Sequence, residues 1–152
     1  MVPCLFVQGQ EKEENNCQTV GGAILTNFIT ETTTLGTATG DLKGGIVVDE
    51  LSVSPGENGS KIIQTQTHWV TESGDTITLA PSAVTVFPAS SDDLSVASYI
   101  KGVTITGGTG RFARARGTLT VFGAIVGARA TDVDQRKIIL RYQGIVCFKP
   151  KD

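Results

Sequence analysis

Thr104-Ile-Thr-Gly-Gly-Thr-Gly-Arg-Phe-Ala-Arg-Ala-Arg-Gly-Thr-Leu-Thr-Val-Phe-Gly123 reads as strand, turn, strand. Residues 103–106 alternate apolar and polar side chains, the rhythm of a strand with one face covered. Gly107, Gly108 and Gly110 break that rhythm, and it returns over residues 117–126. A glycine cluster between two such runs lets the backbone take positive φ and reverse without a Cβ clash.

The same pattern extends outward in both directions. Upstream, residues 94–106 form one run, and residues 61–71 form the best strand of the first half. Residues 72–75 make a tight turn into a returning strand over 76–79 and 83–87. Pro81 interrupts that strand, because proline removes a ladder donor. Residues 18–28, 35–42 and 44–53 are earlier runs, cut by Gly40 and Gly44-Gly45, with a polar turn at 30–34. Residues 54–60 connect a hairpin through Asn58-Gly59, a strong turn pair. Asn58-Gly-Ser60 also matches an N-glycosylation acceptor, although the turn alone accounts for the residues. Downstream, residues 118–126 and 136–148 are strands around a loop at 128–135, and residues 88–93 are a polar loop. Residues 4–9 read as a short strand, and the charged run that follows to residue 16 as a solvated segment. About eight strands in hairpin succession predict an all-β fold, an eight-stranded antiparallel up-and-down β-barrel with a central cavity. Closure also removes the edges that such Thr/Val-rich strands would expose.

The 152 residues suit one domain spanning 1–152. A formal charge of −2 argues against a nucleic-acid partner, which needs a broad basic face. No apolar run reaches the length of a membrane span. The start of the chain lacks the basic and apolar regions of a secretory leader. Cys4, Cys17 and Cys147 match no zinc spacing, and Asp132 and Asp134 are too few for a calcium loop. No cofactor motif is present: the glycine segment lacks the Lys-Ser/Thr ending of a phosphate loop and precedes a strand. Two states stand open for the cysteines. Either Cys17 and Cys147 join the first strand to the last, or all three are free thiols. Pairing implies a secreted or periplasmic protein, and free thiols a cytoplasmic one.

The run Gly107-Gly-Thr-Gly-Arg-Phe-Ala-Arg-Ala-Arg-Gly117 resembles the G-G-T-G-[KR]-F-x-x-A-x-G segment of plant dirigent proteins and of allene oxide cyclase-type barrels. Leu35-Gly-Thr-Ala-Thr-Gly-Asp-Leu-Lys-Gly44 and His68-Trp-Val-Thr-Glu-Ser-Gly-Asp-Thr76 are similar to stretches of uncharacterised bacterial members. The resemblance covers roughly residues 17–148 and implies an eight-stranded barrel with a lumen, with homo-oligomers such as the plant trimers. It implies a cofactor-free cyclase or isomerase that holds a hydrophobic small molecule in one reactive conformation. The catalytic acids of dirigent proteins do not align onto this chain.

Site residues follow from chemistry. His68, the one histidine, can act as acid or base at neutral pH, and shares a strand face with Gln64 and Gln66. The opposite face carries Trp69 with Thr65 and Thr67, and a one-residue slip exchanges which face lines the lumen. Glu50 is a second candidate acid. Tyr142 can donate a proton, while Tyr99, Phe122 and Arg141 are candidate substrate contacts, with Arg141 on the opposite face from Tyr142. Arg111, Arg114 and Arg116 can grip a carboxylate or phosphate, or pair with acids such as Asp41 or Glu50. Two functions remain in view: a lumenal cyclase, and a non-enzymatic secreted binding or scaffold barrel. Lumen volume separates them, since a substrate pocket needs roughly 300 Å³ or more.

Overall fold

The computed structural model describes residues 16–88, 96–127 and 135–149. The short strand expected at residues 4–9, all but Pro88 of the polar loop expected at 88–93, and most of the loop at 128–135 lie outside the described residues. Among the described residues, nine strands form one antiparallel sheet: β1 (Asn16–Phe28), β2 (Thr33–Ala38), β3 (Gly44–Pro55), β4 (Lys61–Thr71), β5 (Thr76–Leu79), β6 (Ser82–Pro88), β7 (Val96–Gly108), β8 (Arg116–Val126) and β9 (Lys137–Phe148). Each strand but β5 pairs with its successor around the circuit, and β1 pairs with β9 to close it.

Strands β5 and β6 are two halves of one stave. Both pair with β4 on one side and β7 on the other, so the closed barrel has eight positions. The break falls at Ala80-Pro81, where the proline cannot donate to a ladder. Side chains mend the gap. Gln66 Nε2 donates to the Leu79 carbonyl at 3.0 Å, and Thr65 Oγ1 donates to the Ser82 carbonyl at 3.2 Å. Their neighbours on β4 keep the ordinary pairings, His68 with Thr78 and Gln64 with Ala83.

The core is the barrel interior. Ile24, Ile46, Trp69, Leu79, Val103, Ile105, Leu119, Val121, Leu140 and Val146 are all buried on the inward parity of their strands. That alternation is what the two-residue rhythm requires once the sheet closes on itself.

Both expected ends of β2 are corrected: it begins at Thr33, inside the turn expected at 30–34, because Thr33 and Thr34 pair with Asp49 and Val48. Residues 39–42 do not continue β2. Gly40 takes φ 82°, and Gly40–Leu42 forms a 3₁₀ turn that folds over the barrel end. The reason lies across the barrel. Tyr142 Oη donates to the Thr39 carbonyl at 2.6 Å and accepts from the Leu42 amide at 2.9 Å. Trp69 Nε1 donates to the Leu42 carbonyl at 2.8 Å. The glycine segment behaves in the same way. Gly110–Phe112 is a 3₁₀ turn that drives Phe112 into the core, with Gly110 at φ 58°. Both plugs sit at the end where β1 begins and β9 finishes.

Cys17 and Cys147 are bonded and directly opposite each other in the β1–β9 register. The bridge therefore ties the seam where the first and last strands close the cylinder.

Candidate functional site

The lumen comes first, because the expected chemistry lies there. Strand β4 turns Thr65, Thr67 and Trp69 inward and leaves Gln64 and His68 exposed outside. Trp69 is 2% exposed and meets Tyr142 edge-on, with ring centroids 5.2 Å apart. Between these rings and the far end, a cavity of about 20 Å³ remains among Ile24, Ile46, Leu79, Val121 and Leu140. That volume admits about one water. Three hydroxyls border it, Thr26, Thr34 and Thr67. The Thr34 Oγ1 atom is buried without a protein hydrogen-bond partner.

Glu50 marks the opposite mouth. It faces inward, because its cross-strand partner is the buried Thr65 and it continues the parity of Ile46 and Val48. Burial raises its pKa above the ordinary value, the nearby Lys61 draws it down, and Glu31 adds a smaller upward push. The Tyr142 pKa is also raised, first by burial; the Leu42 amide bond lowers it and Asp41 raises it. This phenol holds the plug in place by two hydrogen bonds.

The other expected residues are spread over the barrel. His68 lies on the outer face, with Nε2 3.5 Å from Asp49 Oδ2, which also shares its carboxylate with Thr33. Gln66 is committed to the break in the stave. Phe122 is half-buried on the outer face, directly opposite the exposed Arg141 on β9. Tyr99 belongs to β7, and its side chain lies outside the described residues. The fold thus gathers Trp69 and Tyr142 at one end of the lumen and Glu50 at the other, and keeps His68, Gln64, Phe122 and Arg141 out of it. Thr26 and Thr34 had no individual signal in the sequence, since threonine is common in both faces of these strands.

Larger spaces open at the plugged end, outside the lumen. One of about 510 Å³ is bounded by Asn16, Gln18, Arg111, Arg114, Phe148 and Lys149. A second of about 430 Å³ lies across Arg111, beside Asp41, Lys43 and Glu72. Among the described residues, neither Arg111 nor Arg116 forms an ion pair with Asp41 or Glu50. Asp41 instead accepts the Gly21 amide at 2.9 Å, and Lys43 pairs with Glu72 at 3.1 Å. Among the described residues, no group of acids, histidines and cysteines is arranged to hold a metal.

No family model matches the chain, and no curated protein matches it. Among solved structures, it is similar to the pterocarpan synthase dirigent protein GePTS1 at 16% identity and a TM-score of 0.35, over 91% of this chain and 88% of that one. It is similar to the pterocarpan synthase dirigent protein PsPTS1 at 12% identity and a TM-score of 0.34, over 91% and 99%. At that distance the chemistry has to be read from the residues themselves.

Proposed function

We propose that this chain is a disulfide-tied binding barrel with a filled core, which takes small molecules at its plugged end rather than transforming them in its lumen. Lumen size carries the reading: about 20 Å³ remains inside, against the roughly 300–1,000 Å³ of a small-molecule pocket. Space on that scale lies outside the lumen, at about 510 and 430 Å³. The Cys17–Cys147 bridge supports an oxidising, secreted-type compartment.

A second reading keeps the lumenal cyclase or isomerase, and one observation favours it. The Thr34 hydroxyl, buried without a protein hydrogen-bond partner, borders a lumen cavity that is apolar apart from Thr26 and Thr67, and Glu50 stands at the far mouth. An apolar guest with one polar group would meet the hydroxyl inside and a carboxyl of raised pKa at the entrance. Confinement would then supply orientation, and Glu50 a proton.

The chain's one tryptophan separates the two readings, because Trp69 lines the lumen. Its emission is expected to be blue-shifted, shielded from acrylamide and unmoved by fatty acids or small phenols. A saturable change with any of these guests would replace the first reading by the second.

A further inference from the structure

We propose that the pocket beside the Cys17–Cys147 bridge is an oxyanion site, built for a ligand that carries phosphate or carboxylate groups on an apolar or sugar-like body. This rests on the reading that small molecules bind at the plugged end, and it names their chemistry.

Charge is the first observation. The 510 Å³ pocket adjoins a smaller one of about 200 Å³, and the two share Ala113, Arg114 and Lys149. Arg111 lines the larger and Arg116 the smaller, and among the described residues no carboxylate lines either. The chain as a whole is acidic at −2, so this end runs against the average. Arg114 has a further contact of its own, and the site does not depend on it. Among the described residues, no carboxylate comes within 4.0 Å of Arg111, Arg116 or Lys149, whereas Lys43 and Arg136 each meet an acid.

Pre-organisation is the second. The Arg111 guanidinium lies 4.8 Å from the Phe112 ring centre and 5.2 Å from that of Phe148. Those rings pack on each other at 5.4 Å, and Phe112 is buried. Stacking fixes the guanidinium plane while leaving its N–H donors for a ligand, the arrangement that suits bidentate oxyanion binding. Arg116 is steadied by its bond to the Ala115 carbonyl at 2.8 Å. A site whose donors are already placed loses less entropy when it binds.

The rim is the third. Asn16 pairs with Phe148 and Arg116 with Cys147 in the strand registers, so the disulfide ties β1, which carries Asn16 and Gln18, to β9, which leads into Lys149 and pairs with the strand of Arg116. Asn16 and Gln18 offer amides to hydroxyls, and half-buried Phe148 offers a flat apolar wall. Asp41 and Glu72, across Arg111 in the neighbouring cavity, favour ligands that approach from the Phe148 side.

The test is an amide-resolved titration of isotope-labelled, oxidised protein at constant ionic strength. Pyrophosphate and citrate are the probes, and they distinguish phosphate from carboxylate preference. Saturable shifts are expected at Gln18, Gly110, Ala113 and Lys149 with at least one probe. The double variant R116Q/K149Q removes two exposed cations without touching the core. It is expected to weaken binding by about tenfold or more, the loss of a charge-assisted hydrogen bond. R111Q is expected to do the same; should it fail to fold once its ring contacts are lost, the double variant decides. Shifts that grow linearly and are matched by sodium chloride overturn the site, as does unchanged affinity in R116Q/K149Q. Trp69 emission is read in the same samples, so failure of the filled-lumen reading shows there and not in these shifts.

Discussion

Tyr142 shows how much one side chain settles in this molecule. Its hydroxyl bonds both the Thr39 carbonyl and the Leu42 amide, and the ring supports Trp69, which bonds Leu42 again. Three hydrogen bonds from two aromatic residues thus pin one turn across the barrel end. Tyr142→Phe keeps the ring and orphans a buried amide, so it is expected to cost about 1–3 kcal/mol in denaturant unfolding. An unchanged midpoint would mean that the plug is held by packing alone. Glu50 gives a pH signature. Burial raises its pKa above the ordinary 4.5, against Lys61 and with Glu31. The folded state therefore favours the protonated acid. Its stabilising contribution is full below the ordinary value and is lost as pH rises through the raised one. Glu50→Gln, uncharged throughout, is expected to stabilise the barrel at neutral pH and to bring no such gain in acid. Parallel denaturation curves for the two proteins at both pH values would show a gap that closes on acidification; a constant gap contradicts the assignment. At this scale the sequence was partly legible. It presented Trp69 and His68 as alternatives on opposite faces of one strand. Choosing between them required the neighbours, because Ile46 pairs with Trp69 and Val47 with His68.

At the scale of elements, the turns were the clearest signal. Asn58 adopts φ 56°, ψ 38° between β3 and β4, and Gly59 follows at φ 78°. Asparagine tolerates that left-handed region where most residues do not. Asn58→Ala is expected to destabilise by roughly 1 kcal/mol, with Asn58→Gly closer to neutral; equal unfolding curves for both variants would show that the turn adapts. Strand β4 has the bounds the alternation assigns, residues 61–71. The interruption at Pro81 is also where the proline rule puts it. What the rule leaves out is the repair. Gln66 looks like a polar lining residue in the sequence, and the fold uses its amide to cap the Leu79 carbonyl across the gap. The end of β2 is the counterexample: residues 39–42 continue the strand-like composition of residues 35–38. Partners about a hundred positions away bend them into a plug, and no local pattern encodes such partners.

For the molecule as a whole, closure and its disulfide belong together. Cys17 and Cys147 are 130 residues apart in sequence and opposite each other on the seam strands. Linking so long a loop restricts the unfolded chain, for about 4–5 kcal/mol of stability in the chain-entropy account. Reduction is expected to lower the unfolding free energy on that order in denaturant titrations with and without reductant, and equal curves would show the bridge to be dispensable. The alternation, glycine breaks and β-branched composition determined an antiparallel barrel, because a two-residue period leaves each strand with one face to bury and a closed sheet buries all of them at once. They could not determine the face, the lumen volume or the charge at the plugged end. A strand's two faces are equivalent until a neighbour's register selects one. How much space a lumen keeps depends on how side chains from opposite staves interdigitate. The gathering of Arg111, Arg116 and Lys149 beside Phe148 depends on β1, β8 and β9 lying side by side, a relation between distant segments that only the closed structure creates.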